Sequence, residues 1–136
     1  MNKTITGACL CGQVKYTFSA KPIFSGNCHC RDCQRSSGSG YTPALFVPEH
    51  AAEIIGKVKY YESKADSGRS ISRGFCPNCG SQLLSKLELM PNLIGFRAGT
   101  LDNPEDYEPN MDIFTDSAAH WDVMNDRIPK FPKSPK

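Results

Sequence analysis

Hydrophobic and polar residues alternate from residue 13 to 18, with Val14, Tyr16 and Phe18 on one side and Lys15 and Thr17 on the other. That is the period of a half-buried strand. Further strands are expected at residues 42–47, 54–62, 70–75, 81–89, 93–100 and 111–114. Met90-Pro91-Asn92 separates two apolar runs and predicts a hairpin, and Asp102-Asn103-Pro104-Glu105 predicts a turn. Helical signals are short: a turn or two over residues 30–37, another over 48–52, and one near Glu105. Short strands at intervals of about ten residues predict a mainly β fold, a small domain of several short antiparallel sheets with little helix.

The chain of 136 residues suits one domain, expected over residues 1–130, with the Lys- and Pro-rich end, residues 131–136, as a loose tail. Hydrophobic residues make up 39% and charges of both signs are interspersed, which excludes a disordered chain. A formal charge of +2 gives no reason to expect a nucleic-acid partner. No stretch approaches the roughly 20 apolar residues of a membrane span, so no membrane partner is expected and the default location is cytoplasmic.

Seven cysteines change the picture. A reducing compartment disfavours disulfides, and an odd count leaves one thiol over in any fully paired scheme. They are clustered as Cys9-Leu10-Cys11, Cys28-His29-Cys30-Arg31-Asp32-Cys33 and Cys76-Pro77-Asn78-Cys79, so metal binding is the leading explanation. Cys76-x-x-Cys79-Gly80 has the spacing of a zinc knuckle, a tight turn that presents two sulfurs to one metal. On a flat strand Cys9 and Cys11 would stand ~6.8 Å apart, too far for neighbouring ligands with ~2.3 Å bonds, so the chain must bend there. A closed structural zinc takes four ligands, and the economical assignment is one site of Cys9, Cys11, Cys76 and Cys79.

Cys28, Cys30 and Cys33 remain. Three thiolates on zinc leave a fourth position for water or substrate, the arrangement of a catalytic site. His29 competes for that position, but it lies between two ligands in sequence and is expected to point away from them. Seven thiolates and two zinc ions turn the formal +2 into −1. Arg31, Arg35 and Arg73 stand in or beside the cysteine segments, either to offset that charge or bind an anionic substrate, or as ordinary surface charges.

Other chemistries fit less well. A thioredoxin-type dithiol would open a helix in an α/β unit, a pattern missing around Cys76 and Cys79. A zinc deaminase needs His-x-Glu ahead of its Pro-Cys-x-x-Cys, and a Ser-His-Asp hydrolase needs a Gly-x-Ser-x-Gly elbow; the chain has neither.

Taken in order and spacing, Gly7-Ala8-Cys9-Leu10-Cys11-Gly12, Cys28-His29-Cys30-Arg31-Asp32-Cys33-Gln34-Arg35 and Phe75-Cys76-Pro77-Asn78-Cys79-Gly80 resemble the glutathione-dependent formaldehyde-activating enzyme family, also called the centromere-protein-V family. Met111-Asp112-Ile113-Phe114, Ala119-His120-Trp121 and Ile128-Pro129-Lys130-Phe131 look like its C-terminal part. The resemblance implies a β-rich, zinc-ribbon-like assembly of small sheets around two zinc ions per chain. It implies a structural zinc on Cys9, Cys11, Cys76 and Cys79 and a catalytic zinc on Cys28, Cys30 and Cys33. It further implies a carbon–sulfur lyase whose partners are a small thiol such as glutathione and a small aldehyde such as formaldehyde. Where many members carry a histidine before the last hydrophobic pair, this chain has Asp112. The other reading is a zinc-stabilised interaction module without turnover.

Overall fold

The computed structural model describes residues 3–135. Ten strands run as β1 (Ile5–Ala8), β2 (Lys15–Phe18), β3 (Phe24–Cys28), β4 (Thr42–Pro48), β5 (Ala52–Ile55), β6 (Lys59–Lys64), β7 (Ser70–Phe75), β8 (Gln82–Leu87), β9 (Met90–Arg97) and β10 (Asp112–Ile113), with one α-helix, α1 (Arg31–Ser37). The fold is thus mainly β, as expected.

Two sheets form. The smaller has the order β1-β2-β5, and the larger the order β10-β3-β4-β9-β8-β7-β6. Every pairing in them is antiparallel except β10 against β3. Tyr16 and Phe18 of the small sheet, with Val14 just before β2, pack in one buried cluster with Leu45, Val47, Leu84, Ile94 and Phe96 of the large sheet, the centre of the core. The Tyr16 and Phe18 rings stack on Phe96 at 4.0 and 5.4 Å between centroids, a contact that adds to the burial of their area.

Side chains alternate across a sheet, so Leu45, Phe96 and Leu84, facing the core, force their neighbours to the opposite face. Register aligns Tyr61 with Arg73, Arg73 with Ser85, Ser85 with Gly95 and Gly95 with Phe46 in one row. Two residues along, Arg97 aligns with Ala44 and Ala44 with Gly26. Cys28 and Thr42 end the same face, which α1 partly covers. One face of the large sheet therefore builds the core and the other collects polar and cysteine side chains.

The structure corrects several expectations. Residues 54–62 do not form one strand: Gly56, at φ 106, turns the chain and separates β5 from β6. The β8–β9 reversal falls at Glu88-Leu89, because Leu87 pairs with Met90, and Pro91 lies inside β9. β1 and β3, which carry little alternation, went unpredicted. Residues 48–52 and the Glu105 region form 3-10 turns, Glu49–Ala51 and Pro104–Asp106. The expected loose tail is tied down through Lys133: Phe131 donates to the Asp112 carbonyl at 2.9 Å and Phe114 to the Lys133 carbonyl at 3.0 Å. Lys136 lies outside the described residues.

Candidate functional site

The first cluster gathers Cys9, Cys11, Cys76 and Cys79, whose sulfurs all lie within 4.8 Å of one another. Cys9 to Cys11 is 3.6 Å and Cys11 to Cys76 is 3.7 Å. A tetrahedron of sulfurs with ~2.3 Å bonds to a central zinc has edges of about 3.8 Å, whereas a disulfide needs about 2.05 Å. The donor set fits a metal and not a cross-link.

Backbone geometry makes the cluster. The chain between β1 and β2 bends so that the amide of Gly12 meets the Cys9 carbonyl at 3.1 Å, bringing together sulfurs that a flat strand would separate. Between β7 and β8, the amides of Asn78 and Cys79 point at the Cys76 sulfur at 3.4 and 3.5 Å, and Gly80 leaves the turn at φ 80. The Ser81 hydroxyl, 3.2 Å from the Cys79 sulfur, helps pull that thiol down to about 5. Cys9 and Cys76 are buried in the core itself, so a metal here would link the two sheets.

The second cluster is Cys28, Cys30 and Cys33, again within 4.8 Å of one another and all half-buried. Cys28 ends β3, Cys30 caps α1 and Cys33 lies in its first turn, where its amide donates to the Cys30 sulfur at 3.2 Å. Hydrogen bonds from Cys28 and Cys30 hold Cys33 at about 2, and the same contacts with burial push Cys28 far above the ordinary thiol range. The trio gives up one proton readily and resists losing more, a shortfall of positive charge that a divalent cation would remove. Among the described residues no fourth histidine, cysteine or carboxylate joins the group.

His29 points the other way, as alternation along the end of β3 requires. It is 1% exposed, with Nδ1 2.5 Å from Asp122 Oδ2 and Nε2 2.9 Å from Asp112 Oδ1. Each ring nitrogen faces a carboxylate oxygen, so neither is turned toward the three cysteines. Asp112 also takes Lys130 Nζ at 3.0 Å and Asn27 Nδ2 at 3.3 Å. Burial works against its charged form, but the bonds from His29, Lys130 and Asn27 prevail and hold the carboxyl below its ordinary value. Asp112 therefore anchors the back of the cysteine loop and does not share its open face.

Of the arginines singled out in the sequence, Arg31 sits on the helix surface and donates to Gln34 Oε1. Arg35 is exposed and Arg73 is buried, and both line a cleft of ≈ 580 Å³ between α1 and β6, β7 and β8. Sequence reasoning missed Arg97. It is 7% exposed, burial lowers it to about 10, and the Cys33 and Cys28 thiols act against that fall. A charged residue inside the apolar run Leu93-Ile94-Gly95-Phe96-Arg97-Ala98 was the available signal. Asp122, 93 positions from His29, left none.

The model of the family described as glutathione-dependent formaldehyde-activating enzyme matches residues 4–117. The fold is similar to the crystal structure of a Rhodobacter sphaeroides protein, with a TM-score of 0.59 and 16% identity over 92% of this chain and 98% of that one. No curated protein matches the sequence. Among the described residues, no helix is long and apolar enough to cross a membrane. With the family match spanning both cysteine clusters, the chain belongs to the glutathione-dependent formaldehyde-activating enzyme family.

Proposed function

We propose that this chain is a zinc-dependent carbon–sulfur lyase that joins glutathione to formaldehyde, giving S-hydroxymethylglutathione. Cys9, Cys11, Cys76 and Cys79 hold a structural zinc, and Cys28, Cys30 and Cys33 hold a catalytic one. The observation that carries this reading is the three-thiol cluster with no fourth protein ligand among the described residues, the adjacent His29 being engaged by two carboxylates. In the reaction a C–S bond forms between the thiol sulfur and the carbonyl carbon, and the thiol proton ends on the carbonyl oxygen. Zinc at this position supplies Lewis acidity and favours the thiolate form of a bound thiol.

The chain's own residues do the rest. Arg97 brings a buried positive charge beside Cys28 and Cys33 and favours their deprotonated forms. Thr42 donates to the Cys33 carbonyl at 3.1 Å and fixes the start of α1 against β4. Gln34 donates to the carbonyls of His29 and Ser117 at 2.8 and 3.0 Å, holding the cysteine loop against the C-terminal segment. A thiolate pool of the kind the reaction uses is found in the reducing cytoplasm, where this reading places the protein.

The test is exchange NMR of glutathione and formaldehyde with and without the zinc-loaded protein. The adduct should form faster with the protein present, and Cys30→Ser should abolish the gain. An unchanged rate with both metals bound would overturn the enzymatic reading in favour of a zinc-stabilised interaction module.

A further inference from the structure

The core-side face of the large sheet carries an opening of its own. Asn27 of β3, Pro43 of β4 and Ala98 just after β9 are the chain neighbours of Cys28, Ala44 and Arg97, so they stand on the face opposite the three cysteines. A groove of ≈ 330 Å³ lies over them, with Tyr41, Pro104, Tyr107 and Pro109 also in its lining. Both rings are held in place. Tyr107 donates its hydroxyl to Asn27 Oδ1 at 2.8 Å, and the Tyr41 ring packs on that of His29 at 5.1 Å between centroids. Prolines restrict the backbone around them, so a ligand meets a surface that is already ordered and the entropic cost of binding stays low.

The charge beside the groove has one sign. Residues 98–126 contain eight of the chain's 14 acidic residues and no lysine or arginine. Asp102, Glu105 and Glu108 are exposed on the loop that supplies Pro104, Tyr107 and Pro109, and among the described residues none of the three is in an ion pair. Asp106 alone in this loop is answered by a cation, Lys3 at 2.7 Å. Such a surface repels phosphates and anionic membranes and attracts lysine and arginine. The volume is at the low end of ligand sites, roughly 300–1,000 Å³, which suits a short extended segment better than the row of anchors on a helix. A polyproline II segment meets both conditions: its backbone is preformed, its prolines pack on aromatic rings, and its threefold period turns other side chains toward the rim.

We propose that this groove docks a basic, proline-rich segment of a partner protein, its prolines against Tyr41 and Tyr107 and its lysines or arginines toward Glu105 and Glu108. The groove and the three cysteines lie on opposite faces, so a docked partner leaves the metal site open and the surface is independent of the lyase reading. The chain's own end has a similar composition, with Pro129, Pro132 and Pro135 each followed by a lysine. Residues 129–133 are, however, engaged by backbone hydrogen bonds with residues 112–116, and a second copy would have to release them before it could dock.

The test is fluorescence anisotropy of labelled synthetic peptides with the zinc-loaded protein. The probe is a Pro-Pro-Lys repeat, and the controls are a Gly-Ser-Lys repeat of equal charge and a Pro-Pro-Glu repeat of equal proline content. The probe should bind about tenfold tighter than either control. Gly99 also lines the groove, and a Cβ there meets nothing within 4 Å, so Gly99→Leu fills the groove without a clash. That variant should keep the wild-type Tm and lose the probe. Replacing both Glu105→Gln and Glu108→Gln should weaken binding about fivefold, by a margin that shrinks as salt is added. Equal binding of the probe and either control overturns the proposal, as does no binding at all or binding that Gly99→Leu leaves intact. Sedimentation of the protein without peptide gives the last outcome: a dimer that Gly99→Leu dissolves, with no probe bound, assigns the groove to a second copy and overturns the proposal as well.

Discussion

Replacing one cysteine in each cluster by serine removes the same kind of ligand from the same kind of site, yet the two losses should differ. The clusters close very different lengths of chain. Cys11 and Cys76, 3.7 Å apart, are separated by 65 positions, and Cys28 and Cys33 by five. Loop-closure entropy grows as (3/2)RT ln n, so the longer loop is worth about 2 kcal/mol more. Burial adds to the difference, since Cys76 is fully buried in the core whereas Cys33 is half-buried. For a chain of this size that gap corresponds to a Tm lower by about 8 °C in Cys76→Ser than in Cys33→Ser. The assay is thermal unfolding followed by circular dichroism, with zinc content measured on the same samples. Cys33→Ser should keep one zinc and a near-native melt but lose activity. Cys76→Ser should lose the cooperative melt or show the lower Tm. Equal losses in the two variants would refute the division into a structural and a catalytic site.

Three further outcomes follow from single contacts. Arg97→Met should weaken metal binding at the three-cysteine cluster about tenfold in a chelator competition, leaving the other cluster's affinity unchanged, because the thiols that the Arg97 charge acts on are Cys33 and Cys28. Gly95→Ala places a methyl 2.5 Å from two carbons of the Phe46 ring and should cost about 1–3 kcal/mol in urea unfolding; no loss would mean that Phe46 moves aside freely. Asp112→Asn breaks into the buried His29 and Lys130 pairs and should cost about 3 kcal/mol at pH 7. Since Asp112 has its folded pKa below 3.8, the wild type's advantage is complete above that pH and fades as pH falls through the folded value. An advantage already gone between pH 7 and 5 would place the titration on another group.

Both cysteine clusters were legible from spacing, because Cys76-x-x-Cys79 and the Cys28, Cys30, Cys33 trio are each close enough in sequence to turn toward a common point. The pairing of Cys9 and Cys11 with Cys76 and Cys79 came from counting to four, and the sulfur separations of 3.6 and 3.7 Å agree with it. The turned-away His29 was legible as well, since residues adjacent in an extended chain face opposite sides. The break at Gly56 and the reversal at Glu88-Leu89 were not, because glycine permits a turn without demanding one and the reversal depends on which residues of β8 and β9 pair.

What the sequence determined by itself is therefore the mainly β character, the two sets of thiols and the membership those motifs express. Only the tertiary structure decided what stands around them. Arg97 meets Cys28 and Cys33 because β4 lies between β3 and β9 in a register that aligns Ala44 with Arg97. Arg73 and Gln82 face a cleft with α1 because β7 and β8 continue the same polar face. Asp122 reaches His29 across 93 positions because the C-terminal segment packs against β10. Each depends on sheet order and register, which are set by the packing of all the strands together and by no short stretch alone.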